Sequence, residues 1–323
     1  MKWKIIIFIL IGGLMVLIIG YFIKAPSKKF VFQEEITVVS TTSLIQQQKN
    51  TEEIFKPIEV TLSNKEVEQG DTLIITVENL KPNQIISGKF DDKIFDFFPI
   101  KDKKYVGIVG IDAKQKPGEY SLVITISGEN SIKKTITVKK ADFNITELVL
   151  NQELKDKNYT PSNIVENIRT TDGVLIWEIL KKYRPESYFN EPFVYPLDSV
   201  INVGAFGNIR KSGGTSLQHL GVDLDAVENT PIYAINDGIV RFVKSLTVYG
   251  NTIIIDHGLG IYSLYLHLNE FKVKEGDKVL RGQIIGLVGN TGYSLGPHLH
   301  LSIKVNGASV DPLKFIDSLN LLF

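Results

Sequence analysis

The sequence predicts a mainly β protein, with a helical stretch between two β regions and an apolar segment at the N-terminus. Three observations lead there. Between Pro57 and Lys139, short runs rich in Ile, Val, Thr and Phe alternate with turn signals. From Pro196 onward, short strand-like runs return, punctuated by glycine. Only the stretch between these regions and the C-terminal PLKFIDSLNLLF space apolar residues as a helix does.

Composition sets the limits. The chain has 323 residues, 43% apolar and 22% charged, which is enough for about two packed domains. Its 36 basic and 36 acidic side chains cancel. Zero net charge argues against a broad surface that tracks phosphates, so no nucleic-acid partner is expected. There is no cysteine, hence no disulfide, thiolate metal site or Cys nucleophile. Any metal must rest on imidazole and carboxylate. All five histidines, His219, His257, His267, His298 and His300, fall in the last third.

Residues 1–29 read as a transmembrane signal anchor. Ile5 to Ile23 is a run of 19 without a charge, bounded by Lys2 and Lys4 before it and Lys24, Lys28 and Lys29 after it. A membrane-crossing helix needs about 17–25 such residues, more than the core of a cleavable signal. The expectation is a single-pass protein of the cell membrane, with the bulk of the chain on the extracytoplasmic side, in the periplasm or cell wall. A signal peptide cut after Ala25 is the alternative. Residues 30–55, with Ser40-Thr41-Thr42-Ser43 and Gln46-Gln47-Gln48, read as a linker, in which FVFQEEITVV could form one strand.

Residues 56–140 hold seven runs: IEVTL, TLIITVENL, IISGKF, KIFDFFPI, YVGIVGI, YSLVITISG and IKKTITVKK. Gln69-Gly70-Asp71, Lys81-Pro82-Asn83 and Lys116-Pro117-Gly118 mark turns between them. That rhythm predicts an immunoglobulin-like β-sandwich without the Cys-Trp-Cys signature. With no histidine, this region reads as a spacer or a docking module for a regulatory protein. Residues 141–195 form a connector. Thr160 offers an N-cap, Pro161 follows at the first helical position, and Ile164, Val165, Ile168, Leu175, Ile176, Ile179 and Leu180 recur at mostly helical spacings. One helix, weakened in its middle by Gly173, is expected to end before Arg184-Pro185. Trp177 reads as a core or docking residue.

Residues 196–323 read as a compact all-β domain, and the chemistry lies there. His219 and Asp223 stand four apart in His219-Leu220-Gly221-Val222-Asp223; His298-Leu299-His300 is the second pattern. On extended backbone, each pair shares a face. Gly221 and Val222 argue against a helix through the first. Two His and one Asp meet the requirement of a catalytic zinc, which keeps a further position for water. The remaining imidazoles are then free to move protons or stabilise an oxyanion.

From Phe206 to Pro312 these residues resemble the lysostaphin-type (LytM-like) zinc metallopeptidases that cut peptide cross-links in bacterial cell walls. The likeness runs through Phe206-Gly207, HLGVD, TPIYAINDGIV, DHGLGIYSLYLHL, VKEGDKVLRGQIIGLVGNTGYSLGPHLHLSI and VNGASVDP. It implies a LytM-like fold for this domain, zinc held by His219, Asp223 and His300, and His267 and His298 as the catalytic pair. His257 matches a position that is not a ligand in the family and is read as structural. Arg210 stands one place later than the family's usual Arg, Leu295 replaces a frequent Thr, and Ser302 a frequent Glu. The implied function is a zinc-dependent endopeptidase hydrolysing peptide cross-links of peptidoglycan, at stem peptides or cross-bridges, by metal-activated water. The alternative is a noncatalytic LytM-like scaffold or activator of other cell-wall hydrolases. Export adaptors, the glucose phosphocarrier and His₂-carboxylate iron oxygenases each share a fragment of this pattern and leave the rest unexplained.

Overall fold

The computed structural model describes the backbone of residues 3–11, 14–24, 30–39 and 56–323 except Gly213, and side chains from Lys56 onward except Asp102 and Gly213. The chain divides into two units, Met1–Lys56 and Pro57–Phe323.

In the first unit, Trp3–Ile11, Leu14–Lys24 and Phe30–Val39 form an antiparallel three-stranded sheet in chain order. Its register pairs Ile11 with Leu14 and Trp3 with Phe22. This corrects the helix expected over Ile5 to Ile23. A run that is apolar at every position does not distinguish a buried helix from a buried strand. Ile, Val and Phe favour strands, and a Gly-Gly dipeptide between two apolar runs is a hairpin signal. Among the described residues, no helix is long and apolar enough to cross a membrane. Of the expected linker, Phe30–Val39 is a strand and residues 40–55 lie outside the described residues.

The second unit is mainly β. All seven runs expected between Pro57 and Lys139 contain strands, and Glu66–Glu68 adds an eighth. The hydrogen-bonded order is Glu59–Leu62, Thr72–Glu78, Tyr105–Gly110, Lys93–Pro99, Ile86–Phe90, Gly118–Ile126, Ile132–Lys139, Glu66–Glu68. Leu73, Ile75 and Val77 meet Leu122, Ile124 and Ile136 in one core. Ile74, Val106 and Ile108 point the other way, into the core of the C-terminal region, where they join Phe206, Val305 and Val310. Thr72–Glu78 is thus covered on both faces, which the unbroken apolar stretch in TLIITV reflects.

The connector holds three short helices, Gln152–Asp156, Pro161–Thr170 and Asp172–Leu180. Thr160 caps the second through a reciprocal box with Asn163, and Pro161 opens it. The break falls at Thr171. A Cβ at Gly173 would collide with the Ile168 carbonyl oxygen, so glycine there allows the tight turn into the third helix.

The C-terminal region is built on a twisted antiparallel sheet. Its order is Asn202–Gly204, Val222–Asp225, His298–Val305, Ile261–Leu268, Gly250–Gly258, Gly238–Leu246, Lys278–Val279. One face, with Ile253, Ile255, Tyr265, Leu299, Leu301 and Ile303, closes the main core. The other presents Ile254, Tyr262, Leu264 and Leu266, on which Ile176 and Leu180 of the third helix pack. Pro312–Asn320 ends the chain as a helix capped by the Asp311 carboxylate, which accepts from the amides of Leu313 and Lys314.

Candidate metal centre

Strand pairing builds the site. Val222–Asp225 lies antiparallel to His298–Val305, with Asp223 opposite His300 and Asp225 opposite His298. Alternation then sends His298, His300 and Asp223 to one face. His219 arrives just before Val222–Asp225, held by main-chain bonds from its own amide to Asn208 O and from the Gly207 amide to its carbonyl. Gly221 allows the approach: a Cβ there would overlap Leu301 O, His300 Nε2 and Ser302 Oγ.

His219 Nε2, His300 Nδ1 and Asp223 Oδ1 stand 2.8–3.0 Å from one another. Their outer contacts fix which atoms carry hydrogen. His219 Nδ1 faces the Ala205 carbonyl at 2.9 Å and must donate to it. Ser302 Oγ donates to Leu220 O at 2.9 Å and therefore accepts from His300 Nε2, also at 2.9 Å. Both facing nitrogens consequently bring lone pairs, and so does the carboxylate. With both rings neutral, three acceptors converge there with no hydrogen among them, a donor set suited to a cation. Around a tetrahedral zinc at about 2.0–2.2 Å, such donors stand roughly 3.3 Å apart, so the set fits with a small outward shift.

Charge follows the same logic. Burial would raise the Asp223 pKa, but its close contacts with the His219, His298 and His300 imidazoles outweigh it and hold the carboxyl well below the usual range. Its second oxygen accepts from Arg210 Nη2 at 2.9 Å. Burial, reinforced by repulsion from neighbouring imidazoles, brings His300 down to about 4, so it stays neutral and available as a ligand.

Beside the triad lie the other two imidazoles. His267 and His298 have ring centroids 5.0 Å apart, and His267 is 6.0 Å from the His300 ring. His267 Nδ1 donates to Thr291 O at 2.8 Å and His298 Nδ1 to Gly296 O at 2.8 Å, which in the neutral rings leaves both Nε2 atoms free of a hydrogen. His298 Nε2 lies 3.5 Å from Asp223 Oδ1. The His267 backbone sits at φ +64, a left-handed conformation that costs a non-glycine residue energy and that recurs at functional positions. Its amide bonds to Tyr249 O instead of continuing the regular ladder. Burial, then repulsion from His298 and His300, pushes its pKa to about 3. For His298, burial acts downward, but the Asp223 carboxylate more than offsets it and the net shift is upward.

His257 lies apart, fully buried. Its Nδ1 donates to Asp237 O at 2.7 Å and its Nε2 meets Ser263 Oγ at 2.8 Å.

Both imidazole groups open into a cavity of about 690 Å³. The connector forms one side of it. Ile145–Glu147 pairs in parallel with Ile209–Ser212, and Tyr293 donates its hydroxyl to Val149 O at 3.0 Å. The buried Asp172 carboxylate accepts from the amides of Val248 at 2.6 Å and Thr247 at 3.3 Å. Trp177 is not a core residue: it is 54% exposed on the cavity wall, while Ile176 and Leu180 on the same helix are buried. The connector's wall and the contacts of Arg210 and Ser302 were not legible in the sequence, since each depends on pairing across long separations. The one signal was that Arg210 and Ser302 depart from the resembled pattern.

Residues 217–312 match the profile of peptidase family M23. The DD-carboxypeptidase/endopeptidase Mpg of Neisseria meningitidis serogroup B is 43% identical over 95 residues, 29% of this chain and 22% of its own. The peptidoglycan DD-endopeptidase ShyA of Vibrio cholerae serotype O1 is 38% identical over 123 residues, 37% of this chain and 29% of its own. The chain thus spans less than a third of the length of these curated relatives. A crystal structure of a peptidase M23 protein from Pseudomonas aeruginosa shares the fold. It covers 77% of this chain and 94% of its own at a TM-score of 0.55 and 24% identity. The C-terminal region of the chain is a peptidase M23 domain of the LytM/lysostaphin type, a family whose metallopeptidases use zinc.

Proposed function

We propose that the chain is a zinc-dependent endopeptidase that hydrolyses peptide cross-links of bacterial peptidoglycan by metal-activated water. One observation carries this reading: three lone-pair donors converge on a point beside two imidazoles with free Nε2 atoms, in one cleft. The names of the M23 relatives, both peptidoglycan or DD-specific peptidases, point to the same substrate class.

His219, Asp223 and His300 hold the metal in this scheme. Zinc bound there supplies a Lewis acid that makes water nucleophilic near neutral pH. His267 and His298 handle protons. One, neutral, accepts the proton of the attacking water at Nε2; the other, when protonated at Nε2, stabilises the oxyanion or protonates the leaving amine. Main-chain carbonyls hold each Nδ1–H and so aim both Nε2 atoms. Arg210 fixes the Asp223 carboxylate by its outer oxygen. Activity on peptidoglycan requires a site of action outside the cytoplasm, which cell fractionation with protease protection tests.

The deciding experiment measures bound zinc and the muropeptides released from purified peptidoglycan by mass spectrometry. His300→Ala should lose both metal and activity. His267→Ala should keep zinc and lose about 10²–10⁴-fold in rate. Hydrolysis by His267→Ala at the wild-type rate would remove the role given to His267, and zinc binding with no hydrolysis would favour the scaffold reading.

A further inference from the structure

Beyond the imidazoles, the cavity continues along the same sheet face. His298, His300, Ser302 and Lys304 alternate onto it, and all four line the cavity. Lys304 stands four positions along the strand from His300, about 13 Å at the rise of extended backbone. Tyr262 stands opposite Lys304 in register, and the floor between lysine and metal centre is Leu264 and Leu266. Trp177, Gly307 and Lys114 complete that end.

Lys304 is oddly provisioned for a structural residue. It is 9% exposed, and its ammonium donates to one neutral group, Ser309 Oγ. Among the described residues, no carboxylate lies within ion-pairing distance of it. Asp112, the acid that influences it most, spends its oxygens on the amides of Ser309 at 2.7 Å and Lys114 at 2.8 Å. Burial brings the lysine down to about 8, which leaves it mainly protonated at neutral pH. A buried ammonium with one uncharged partner is unfavourable, and an apolar side chain of similar volume would pack there more stably. What the position retains is a cation on a residue that lines an open cleft.

We infer that Lys304, with Lys114 at the rim, forms a carboxylate-binding subsite at the far end of the cleft, about 13 Å from the metal centre, and that it anchors an acidic group of the peptide being cut. The inference rests on the peptidase reading and adds a substrate requirement: an extended peptide with a free carboxylate about four residues from the scissile bond. The spacing suits a peptide lying along the strand, with the exposed Trp177 indole at its side. A single ammonium matches a singly charged carboxylate and gives that end of the substrate its polarity.

The test titrates the full chain, zinc-loaded, with a peptidoglycan stem pentapeptide bearing free carboxylates and with the same peptide amidated, by calorimetry. Mass spectrometry checks the recovered peptide for cleavage, and if it is cut, KM reads the same preference. Amidation should weaken binding by the wild type about tenfold or more. Lys304→Met should bind the free acid as weakly as the amide, and Lys304→Arg should restore the preference. In steady-state hydrolysis, Lys304→Met should raise KM for the acid and leave kcat within about twofold. Equal affinity of the wild type for acid and amide would overturn the subsite, and that comparison needs no variant to fold. A preference retained in Lys304→Met would overturn the role of Lys304. Hydrolysis without a carboxylate preference would leave the peptidase reading standing and sink this one; preference without hydrolysis would do the reverse.

Discussion

Ser302→Ala isolates how much the metal centre depends on a hydroxyl that never touches the metal. Ser302 Oγ accepts from His300 Nε2–H and passes its own hydrogen to Leu220 O, each at 2.9 Å. Removing it leaves the apo protein an escape, because the His300 ring can exchange tautomer or turn. With metal on Nδ1 that escape closes, and a largely buried N–H faces a gap. An unsatisfied buried donor costs about 1–3 kcal/mol. At 1.4 kcal/mol per tenfold, zinc affinity should fall roughly 10–100-fold, the range seen when outer partners of metal-binding histidines are removed. The assay is a chelator competition at neutral pH, with thermal melts of the apo proteins alongside. Apo stability should change by less than about 1 kcal/mol. Wild-type zinc affinity in Ser302→Ala would show that the relay does not position His300, and the tautomer argument would fail with it.

Gly221→Ala should lose zinc and about 1–3 kcal/mol of stability, because the new methyl overlaps His300, Ser302 and Leu301 O; metal stoichiometry and a melt read both. Asp172→Ala removes the acceptor of the Val248 and Thr247 amides and should cost about 1–3 kcal/mol, with faster hydrogen exchange at those two amides. His257 is fully buried with its pKa lowered from 6.5 to about 4, by burial first, partly offset by Asp237 and Asp256. Below pH 6.5 the unfolded chain takes up a proton that the folded one refuses, so this contribution to stability is intact above 6.5. It is lost as pH falls toward 4, by roughly 3 kcal/mol in all. His257→Gln should flatten the acid limb of a denaturation series by close to one proton; an unchanged slope would contradict the assignment.

Much of the architecture was legible because its signals are local. The strand runs from IEVTL to IKKTITVKK are set apart by turn residues that only a few backbone conformations accept. Thr160-Pro161 and Asp311-Pro312 each announce a helix start within two residues. At the site, local spacing said only that His298 and His300 share a face on a strand, and that four histidines with an aspartate crowd one small region; the choice of His219, Asp223 and His300 as donors came from the family likeness. Three things were hidden. His267 was named only through the family likeness, because it reaches the cleft by a positive φ that no spacing rule predicts. Arg210 and Ser302 act across separations of 13 and 82 residues, to Asp223 and Leu220, and become neighbours only when strands pair. The N-terminal apolar run has no polar face, so its periodicity could not choose between helix and paired strands.

The packing of Ile74, Val106 and Ile108 into the same core as Val305 and Val310 bears on how this protein can be handled. Cutting the chain near Tyr195 to obtain the histidine-bearing portion alone would strip oily side chains of their cover and bare a sheet face to water. A sluggish or precipitating fragment would then report a wound in the fold and say nothing about its chemistry. The smallest honest reagent begins at Pro57, and deletion maps that begin later would mistake collapse for loss of catalysis.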